Sequence, residues 1–274
     1  MYDVVGRLIA LMDVRKNSTD IYYFIARTIL LHIDEVADMG IEELALLCYT
    51  SPATISRFCR KIQLDSFADL RHYISQAHAY YNEEVRFTKD ELMAINEQPQ
   101  WLPDKLFPIS IEAITETYRL LDMAVIQQVI DAIYSATQVA FFGSDYSQLV
   151  ARDGQYKFIR LGKFVTAFSD VKNQEEDANQ LQNGAVAVFF SVSGESKQVN
   201  HLCRLAMKRG AQIVVITNNR KSTLAKKADF VIEVGGVEST FTNSSISGRM
   251  ALMSIVDILY TMYAYKVQIM ENEV

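Results

Sequence analysis

The sequence predicts a two-part chain. An all-α segment over residues 1–81 is followed by a connector over 82–110 and an α/β domain over 111–274, built on a five-stranded parallel sheet with helices on both faces. Three observations lead there. Through the first eighty residues, apolar side chains recur only at helical spacing. The connector holds three of the four prolines, Pro99, Pro103 and Pro108, and the only tryptophan, Trp101. From Gln138 onward, short apolar runs without period-2 alternation are interleaved with helical patterns, as expected of strands buried on both faces and their crossover helices.

The totals bound the function. Half of the 274 residues are apolar, enough for a sizeable core. The formal net charge of −6 gives no whole-chain signal for nucleic acid, although one basic face suffices to bind it. Cys48, Cys59 and Cys203 are odd in number and far apart, and no C-x-x-C pairing occurs. They read as reduced thiols, and no metal site is expected. Tyr2, Asp3 and Arg7 interrupt any apolar start, and no uninterrupted apolar run approaches membrane-spanning length. The expectation is a cytoplasmic protein with no membrane partner.

In the first segment, Val4, Val5, Leu8, Ile9, Leu11 and Met12 form one stripe. Ser18 or Thr19 can cap a second helix carrying Ile21, Phe24, Ile25, Ile29 and Leu30. Ile41–Leu47 is a short amphipathic helix and Cys48–Ser51 a turn. Ser51 is a good N-cap, and Pro52 suits the first helical position, where its missing N–H does no harm. In the helix that follows, Ile55, Phe58 and Ile62 face inward, leaving Ala53, Thr54, Ser56, Arg57, Arg60 and Lys61 outward. This is the layout of a helix-turn-helix. Small and hydroxyl residues near the start of the second helix permit close approach to base edges, and the basic ones neutralise phosphate. The DNA-contacting candidates are therefore Ser51, Ala53, Thr54, Ser56, Arg57, Arg60 and Lys61. Residues 51–61 hold three bases and no acid, whereas residues 34–43 hold five acids, so only one face can meet double-stranded DNA. By pattern alone, a plain helical module with a charged face fits equally well. A further helix, Ser66–Tyr81, closes the segment.

The stretches I-E-E-L-A, S-P-A-T-I-S-R-F-C-R-K-I and S-F-A-D-L resemble the N-terminal helix-turn-helix domain of the RpiR family of bacterial transcription regulators, over about residues 1–80. Two positions depart from that pattern. Thr50 stands where an apolar residue is usual, and Gln63 where a Gly usually follows the second helix.

The connector reads as an interdomain linker with some helix in it, and Ile109–Leu121 and Met123–Ser135 are helical patterns leading into the second domain. There the expected strands are Val139–Phe142, Phe164–Phe168, Ala185–Phe190, Gln212–Thr217 and Phe230–Val234. Helical patterns lie at Gln148–Leu161, Lys172–Leu181, Lys197–Arg209, Thr223–Lys227 and Ile246–Ile269. In such sheets ligands bind outside the strand C-termini. The polar clusters fall there: Ser144 and Ser147, then Ser191, Ser193 and Ser196 around Gly194, then Thr217 and Asn218. The run A-V-A-V-F-F-S-V-S-G-E-S-K at 185–197 places three hydroxyls, a Gly and a carboxylate where a buried strand meets a helix start. That junction suits an anion, because helix N-terminal amides and hydroxyls are donors. It also suits an ordinary capped helix. The G-x-G-x-x-G of a dinucleotide site and the P-loop are absent, so no nucleotide cofactor is expected, nor any other.

The pieces F-F-G-S-D-Y-S-Q-L-V-A, F-F-S-V-S-G-E-S, and V-I-T-N with L-A-K-K-A-D, in this order, resemble the SIS (sugar isomerase) domain over about Leu120–Met270. The resemblance implies a flavodoxin-like sheet and a bound phosphosugar. It makes Ser147, Ser191, Ser193 and Ser196 phosphate ligands and Ser144 a further candidate. Gly194 would admit close backbone approach, and Glu195 would lie near the sugar or hold the loop. Asp145 replaces a Gly of the usual G-x-G-x-S pattern, where a carboxylate would repel phosphate or bond a sugar hydroxyl or amine. Arg249, in S-G-R-M-A-L, matches a family Arg.

Two functions fit these features. One is a DNA-binding regulator of sugar or amino-sugar catabolism genes whose second domain senses a phosphosugar. The other is a phosphosugar isomerase with an accessory helical domain. Isomerisation needs an acid–base group near the sugar. His201 reads as a core or surface residue, and Glu195 and Glu238 form no recognisable pair with a base. The fused helix-turn-helix favours the regulator, and no catalytic residue is assigned. Helix-turn-helix half-sites lie about 34–36 Å apart, so a homodimer or higher oligomer is expected. The apolar surface of Ile246–Ile269 suits either partner packing or the chain's own core.

Overall fold

The structure, a computed structural model, describes residues 3–14, 20–84, 87–236 and 245–272. The chain divides into two compact units, Met1–Val85 and Arg86–Val274. No helix among the described residues is long and apolar enough to cross a membrane.

Among the described residues the first unit has six helices: α1 (Asp3–Val14), α2 (Ile21–Leu31), α3 (Ile33–Val36), α4 (Ile41–Leu47), α5 (Pro52–Lys61) and α6 (Phe67–Glu84). One core holds them, centred on Leu8, Ile25, Ile29, Val36, Leu44, Ile55, Phe58 and Leu70. The cap of α2 is Asp20, whose carboxylate accepts from the Tyr22 N–H at 2.8 Å. Ser18 and Thr19, expected in that role, lie outside the described residues.

The second unit begins with α7 (Lys89–Glu97). Its start is closed by a reciprocal pair: the Glu91 N–H donates to Thr88 Oγ1 at 3.2 Å and the Thr88 N–H to Glu91 Oε2 at 2.7 Å. Then come α8 (Trp101–Leu120) and α9 (Met123–Ser135). Most of the proline-bearing connector is thus helical. Pro103 sits in the first turn of α8, where a missing N–H costs no internal bond, and Pro108 lies inside the helix.

The sheet has four parallel strands, β1 (Val139–Gly143), β2 (Val186–Phe190), β3 (Gln212–Thr217) and β4 (Phe230–Glu233), in that spatial order. Between and after them run α10 (Asp145–Arg160), α11 (Val171–Gln180), α12 (Lys197–Lys208), a 3₁₀ turn (Ala225–Lys227) and α13 (Ser245–Asn272). Alternate residues of each strand enter two different cores. Phe141, Val188, Phe190, Val214 and Ile216 pack with α9, α10 and α13. Phe142, Ala187, Phe189, Ile213 and Val215 pack with α11 and α12. This is why the strands carry no hydrophobic alternation.

The fifth strand, expected at Phe164–Phe168, is a single bridge between Ala140 and Thr166 at the outer edge of β1. Two ladder bonds form, from Phe141 N–H to Thr166 O at 2.8 Å and from Thr166 N–H to Val139 O at 3.0 Å. Pairing goes no further, and the next carbonyl on that side, Phe168 O, accepts instead from Gln148 Nε2 of α10, while Val165 O, which points away from β1, accepts from Gln155 Nε2 at 2.8 Å. The expected five-stranded sheet is therefore four strands and a flanking bridge. The long last helix is spent largely on the core, with Leu252, Ile255, Val256 and Leu259 buried against the sheet and its helices.

Candidate functional site

The candidate residues of the first unit sit on α5. Ser51 has extended backbone, and its hydroxyl accepts from the Thr54 N–H at 3.2 Å, with Pro52 in the first turn. Ile55, Phe58 and Cys59 fill the core and fix which face is left. Ser51, Ala53, Arg57, Arg60 and Lys61 are exposed, and Thr54 and Ser56 half-buried. The Ser56 hydroxyl donates to Pro52 O at 3.1 Å, so its proton is used within the helix. The Arg57 guanidinium lies back along α5, with long contacts of 3.4 Å to Ala53 O and to Thr54 Oγ1. The other end of α5 is held from a distance. Arg7 Nη1, on α1, donates to both Ile62 O and Gln63 O at 2.9 Å. This clamp on the last carbonyls of the helix had no signal in the sequence beyond an end without a Gly cap.

In the second unit the loops after β1 and β2 meet at the C-terminal end of the sheet. Ser144 Oγ and Ser196 Oγ are 3.5 Å apart. Within the Ser191–Ser196 loop each hydroxyl accepts from a backbone N–H: Ser191 from Gly194 at 3.2 Å, Ser193 from Glu195 at 3.3 Å, and Ser196 from Val199 at 3.4 Å. An accepting hydroxyl keeps its own proton. The loop is therefore a set of oriented O–H donors at the start of α12, suited to an anion. Ser191 is buried, Ser193 exposed and Ser196 half-buried. Ser147 is half-buried in the first turn of α10, its N–H bonded to Ser144 O at 3.0 Å.

The β3–β4 connection fastens the loop. Thr217 Oγ1 donates to Val192 O at 2.8 Å, and the Asn218 N–H to the same oxygen at 3.0 Å. Asn200 Nδ2 donates to Gly194 O and Ser196 O, both at 3.1 Å, and Lys227 Nζ donates in turn to Asn200 Oδ1. Glu195 accepts the Thr223 N–H at 2.8 Å. Hydrogen bonds from Thr223, with Lys226 and Lys227 nearby, hold this carboxylate below its usual range. Of its two expected roles, loop holding is the one with a partner in the structure. Gly194 has φ +67°, and a Cβ there would stand 2.2 Å from Ser222 Oγ. His201 is on the surface, 3.5 Å from Glu175. Glu238 lies outside the described residues. Asp145 Oδ1 is closed off from solvent, and the Arg249 guanidinium lies over the neighbouring Tyr146 ring, 4.8 Å from its centroid. Among the described residues, no group of three or more His, Cys, Asp or Glu side chains could hold a metal ion. Burial pushes the thiols of Cys48, Cys59 and Cys203 up to about 11, which keeps them protonated and inert.

Comparison with known proteins agrees with both halves. The helix-turn-helix domain of the rpiR family matches residues 19–80, and the SIS domain matches residues 132–262. An uncharacterized HTH-type transcriptional regulator of Caldanaerobacter subterraneus is 31% identical over 245 residues, covering 88% of this chain and 84% of that one. The chain belongs to the RpiR family of HTH-type transcriptional regulators. The regulator RpiR of Escherichia coli K12 is 28% identical over 225 residues, 82% of this chain and 75% of that one. The fold of this RpiR-family chain is shared with the solved NanR protein of Vibrio vulnificus, complexed with ManNAc-6P. The TM-score is 0.58 at 21% identity, covering 98% of this chain and 94% of that one.

Two departures from the RpiR and SIS patterns fall on left-handed backbone. Gln63 has φ +61° and Asp145 φ +56°. Both replace a Gly that the geometry favours, and L-residues pay about 1–2 kcal/mol for that conformation, Asp somewhat less than most. Neither departure undoes its turn. The Leu64 N–H still closes onto Cys59 O at 2.9 Å, and α10 still begins at Asp145. Lys227 is the residue that reading the sequence missed. It lies in the quoted L-A-K-K-A-D stretch, but its reach to Asn200 depends on the β3–β4 connection folding back over α12.

Proposed function

We propose that this regulator binds operator DNA through α5 and a phosphosugar through the loops after β1 and β2, the sugar altering operator affinity. Ser51, Ala53, Thr54, Ser56, Arg57, Arg60 and Lys61 meet the DNA, with Arg57, Arg60 and Lys61 supplying the charge that neutralises phosphates. Ser144, Ser147, Ser191, Ser193 and Ser196 hold the phosphate of the effector, with Gly194 admitting it to the backbone and Glu195 holding the loop. The observation that carries this reading is the trio of loop hydroxyls that accept from backbone N–H groups and keep their protons for a ligand. The ManNAc-6P bound by the V. vulnificus NanR protein supports an amino-sugar phosphate among the candidates, and with it control of sugar or amino-sugar catabolism genes.

The helix-turn-helix domain and the relatives named transcriptional regulators support sensing over catalysis. Glu195 is engaged by Thr223, and His201 faces Glu175 on the surface. Two copies act on one operator, as half-site geometry requires.

The test is a promoter-shift assay on neighbouring genes with a phosphosugar panel. A matching sugar at 100 times its dissociation constant adds about 2.7 kcal/mol to the stability of the sensing unit. Arg57→Ala weakens operator binding about tenfold or more and leaves the sugar's stabilising effect in place. Ser193→Ala keeps DNA binding and loses the sugar response. Turnover of a phosphosugar without any promoter shift would reverse the assignment in favour of an isomerase.

A further inference from the structure

Lys227 gives its hydrogen bond to an amide and keeps its charge. It is half-buried at the end of the 3₁₀ turn, and its Nζ donates to Asn200 Oδ1 on α12. Among the described residues no carboxylate forms an ion pair with it. Its field nonetheless reaches the serine loop. After the hydrogen bonds from Thr223, the charges of Lys226 and Lys227 are what hold Glu195 below its usual range.

Asn200 is the link. It is 5% exposed, and its Nδ2 donates to both Gly194 O and Ser196 O at 3.1 Å. With Oδ1 on Lys227, both ends of this buried amide are in use, as burial demands. The oxygen and nitrogen ends of an amide are alike in size, so its partners decide which way it points. An ammonium can only donate. It claims Oδ1, turns Nδ2 toward the two carbonyls, and polarises the amide so that its N–H groups donate more strongly.

Carbonyl oxygens are what an anion must not meet. In this loop, alternate carbonyls are drawn toward α12 and the β3–β4 connection. Val192 O is taken by Thr217 and Asn218. Gly194 O is taken by the Leu224 N–H at 3.2 Å and by the Asn200 side chain. Ser196 O is taken by the Asn200 backbone N–H at 2.9 Å and by the same side chain. Two of these three carbonyls therefore depend on one amide, and that amide depends on Lys227.

We propose that Lys227, acting through Asn200, is a positioning residue of the effector site. The pair holds the Ser191–Ser196 loop in its anion-binding form before a ligand arrives, and so sets phosphate affinity without touching the ligand. The proposal rests on the reading that this loop takes the effector's phosphate. A frame ordered in advance loses little freedom on binding, which is how a residue outside the site governs affinity. Without the ammonium, Asn200 Oδ1 is buried with no donor, and the amide no longer fixes the two carbonyls.

Two measurements on the full-length protein test this. Amide exchange without ligand reads the loop frame. Titration with inorganic phosphate, followed through the amide NMR signals of residues 191–196, reads its affinity. In Lys227→Met the Gly194 and Val199 N–H groups, which donate to Ser191 and Ser196, exchange about tenfold faster or more, while the Phe141 N–H in β1 is unchanged. Phosphate binds about tenfold more weakly. Asn200→Leu gives the same two losses, and joining it to Lys227→Met adds nothing further, as befits one chain of contacts. Lys227→Arg keeps the charge and its donors and recovers both readings. If Lys227→Met melts without a cooperative transition, Lys227→Gln is read in its place. Unchanged exchange with weakened phosphate binding overturns positioning and leaves Lys227 a distant charge only. Losses that add in the double variant, or a Lys227→Arg protein as weak as Lys227→Met, overturn the relay through Asn200. A wild type whose loop amides ignore phosphate overturns the phosphate reading of the loop itself, and the exchange comparison then decides the positioning role alone.

Discussion

Hydroxyl groups at two helix starts share the N-cap bond, Ser51 accepting from the Thr54 N–H and Ser196 from the Val199 N–H, but differ in what surrounds it. At α5 the Ser56 proton is given to Pro52 O, and Ser51 and Thr54 share a contact at 3.0 Å. That surface offers the guanidinium and ammonium groups of Arg57, Arg60 and Lys61, with hydroxyls beside them. At α12 the three serines accept from backbone N–H groups, and Ser196 also meets Ser144 Oγ at 3.5 Å. That surface offers hydroxyl donors in a fixed frame. The difference suits the two proposed ligands. A DNA backbone is a long row of charges that mobile cations follow, whereas one phosphate group is held by short, pre-set bonds. The lesson is that the direction of a serine's existing bond, more than its presence, tells what it has left to give.

The comparison can be broken at Gly194. Gly194→Ala drives a Cβ into Ser222 at a backbone angle that L-residues avoid. It should cost about 1–3 kcal/mol in the second unit and abolish sugar binding, while α5 still binds DNA; thermal melting with and without ligand reads both effects. An unchanged sugar response would show that the loop frame is not needed.

Separating the serines sharpens it further. Ser191→Ala removes the buried acceptor of the Gly194 N–H and should cost about 1–2 kcal/mol of stability along with sugar binding. Ser193→Ala, on the exposed side, should lose sugar binding with stability within ~0.5 kcal/mol of wild type. Denaturant unfolding distinguishes the two, and equal destabilisation would argue against the buried–exposed distinction.

Gln63→Gly tests the other site. Relief of the left-handed backbone should stabilise the first unit by about 0.5–1 kcal/mol, because the Arg7 clamp uses carbonyls that the substitution leaves in place. A loss of stability would mean that the Gln63 side chain contributes more than its backbone strain costs.

The smallest effect is a pH dependence. Glu195 has its carboxylate held below the usual range in the folded chain. Its contribution is therefore fully present above about pH 4.3 and is lost as pH falls through the lower folded value. Amide exchange at Thr223 should be protected above that range and released below it, and Glu195→Gln should flatten the profile. Protection that instead rises on acidification would reverse the sign argued here.

Much of this was legible from local pattern. Ile55 and Phe58 pointed inward because helical spacing put them on one stripe, and Ser51 with Pro52 marked where α5 starts. The serine clusters pointed to the C-terminal end of a parallel sheet because the strand runs ended there. The strand count went wrong at Phe164–Phe168, which has the apolar content of a strand. Its next carbonyl on the β1 side, Phe168 O, is taken by Gln148 on a different helix. The sequence also offered the last helix as either core or partner surface. The structure spends Leu252, Ile255 and Leu259 of α13 on the core.

What the sequence determined by itself was every feature governed by neighbours three or four residues away, or by the absence of alternation along a strand: the helices, the two-sided burial of the sheet, and the residue types gathered at each candidate site. Only the tertiary structure decided which of those groups still have a bond to offer. Arg7 reaches α5 across 55 residues of chain, Glu195 reaches Thr223 across 28, and Lys227 reaches Asn200 across 27. A hydrogen bond uses up part of its partner's donor or acceptor capacity whatever the separation along the chain, so what a side chain has left for a ligand is settled only when the fold brings its partners to it.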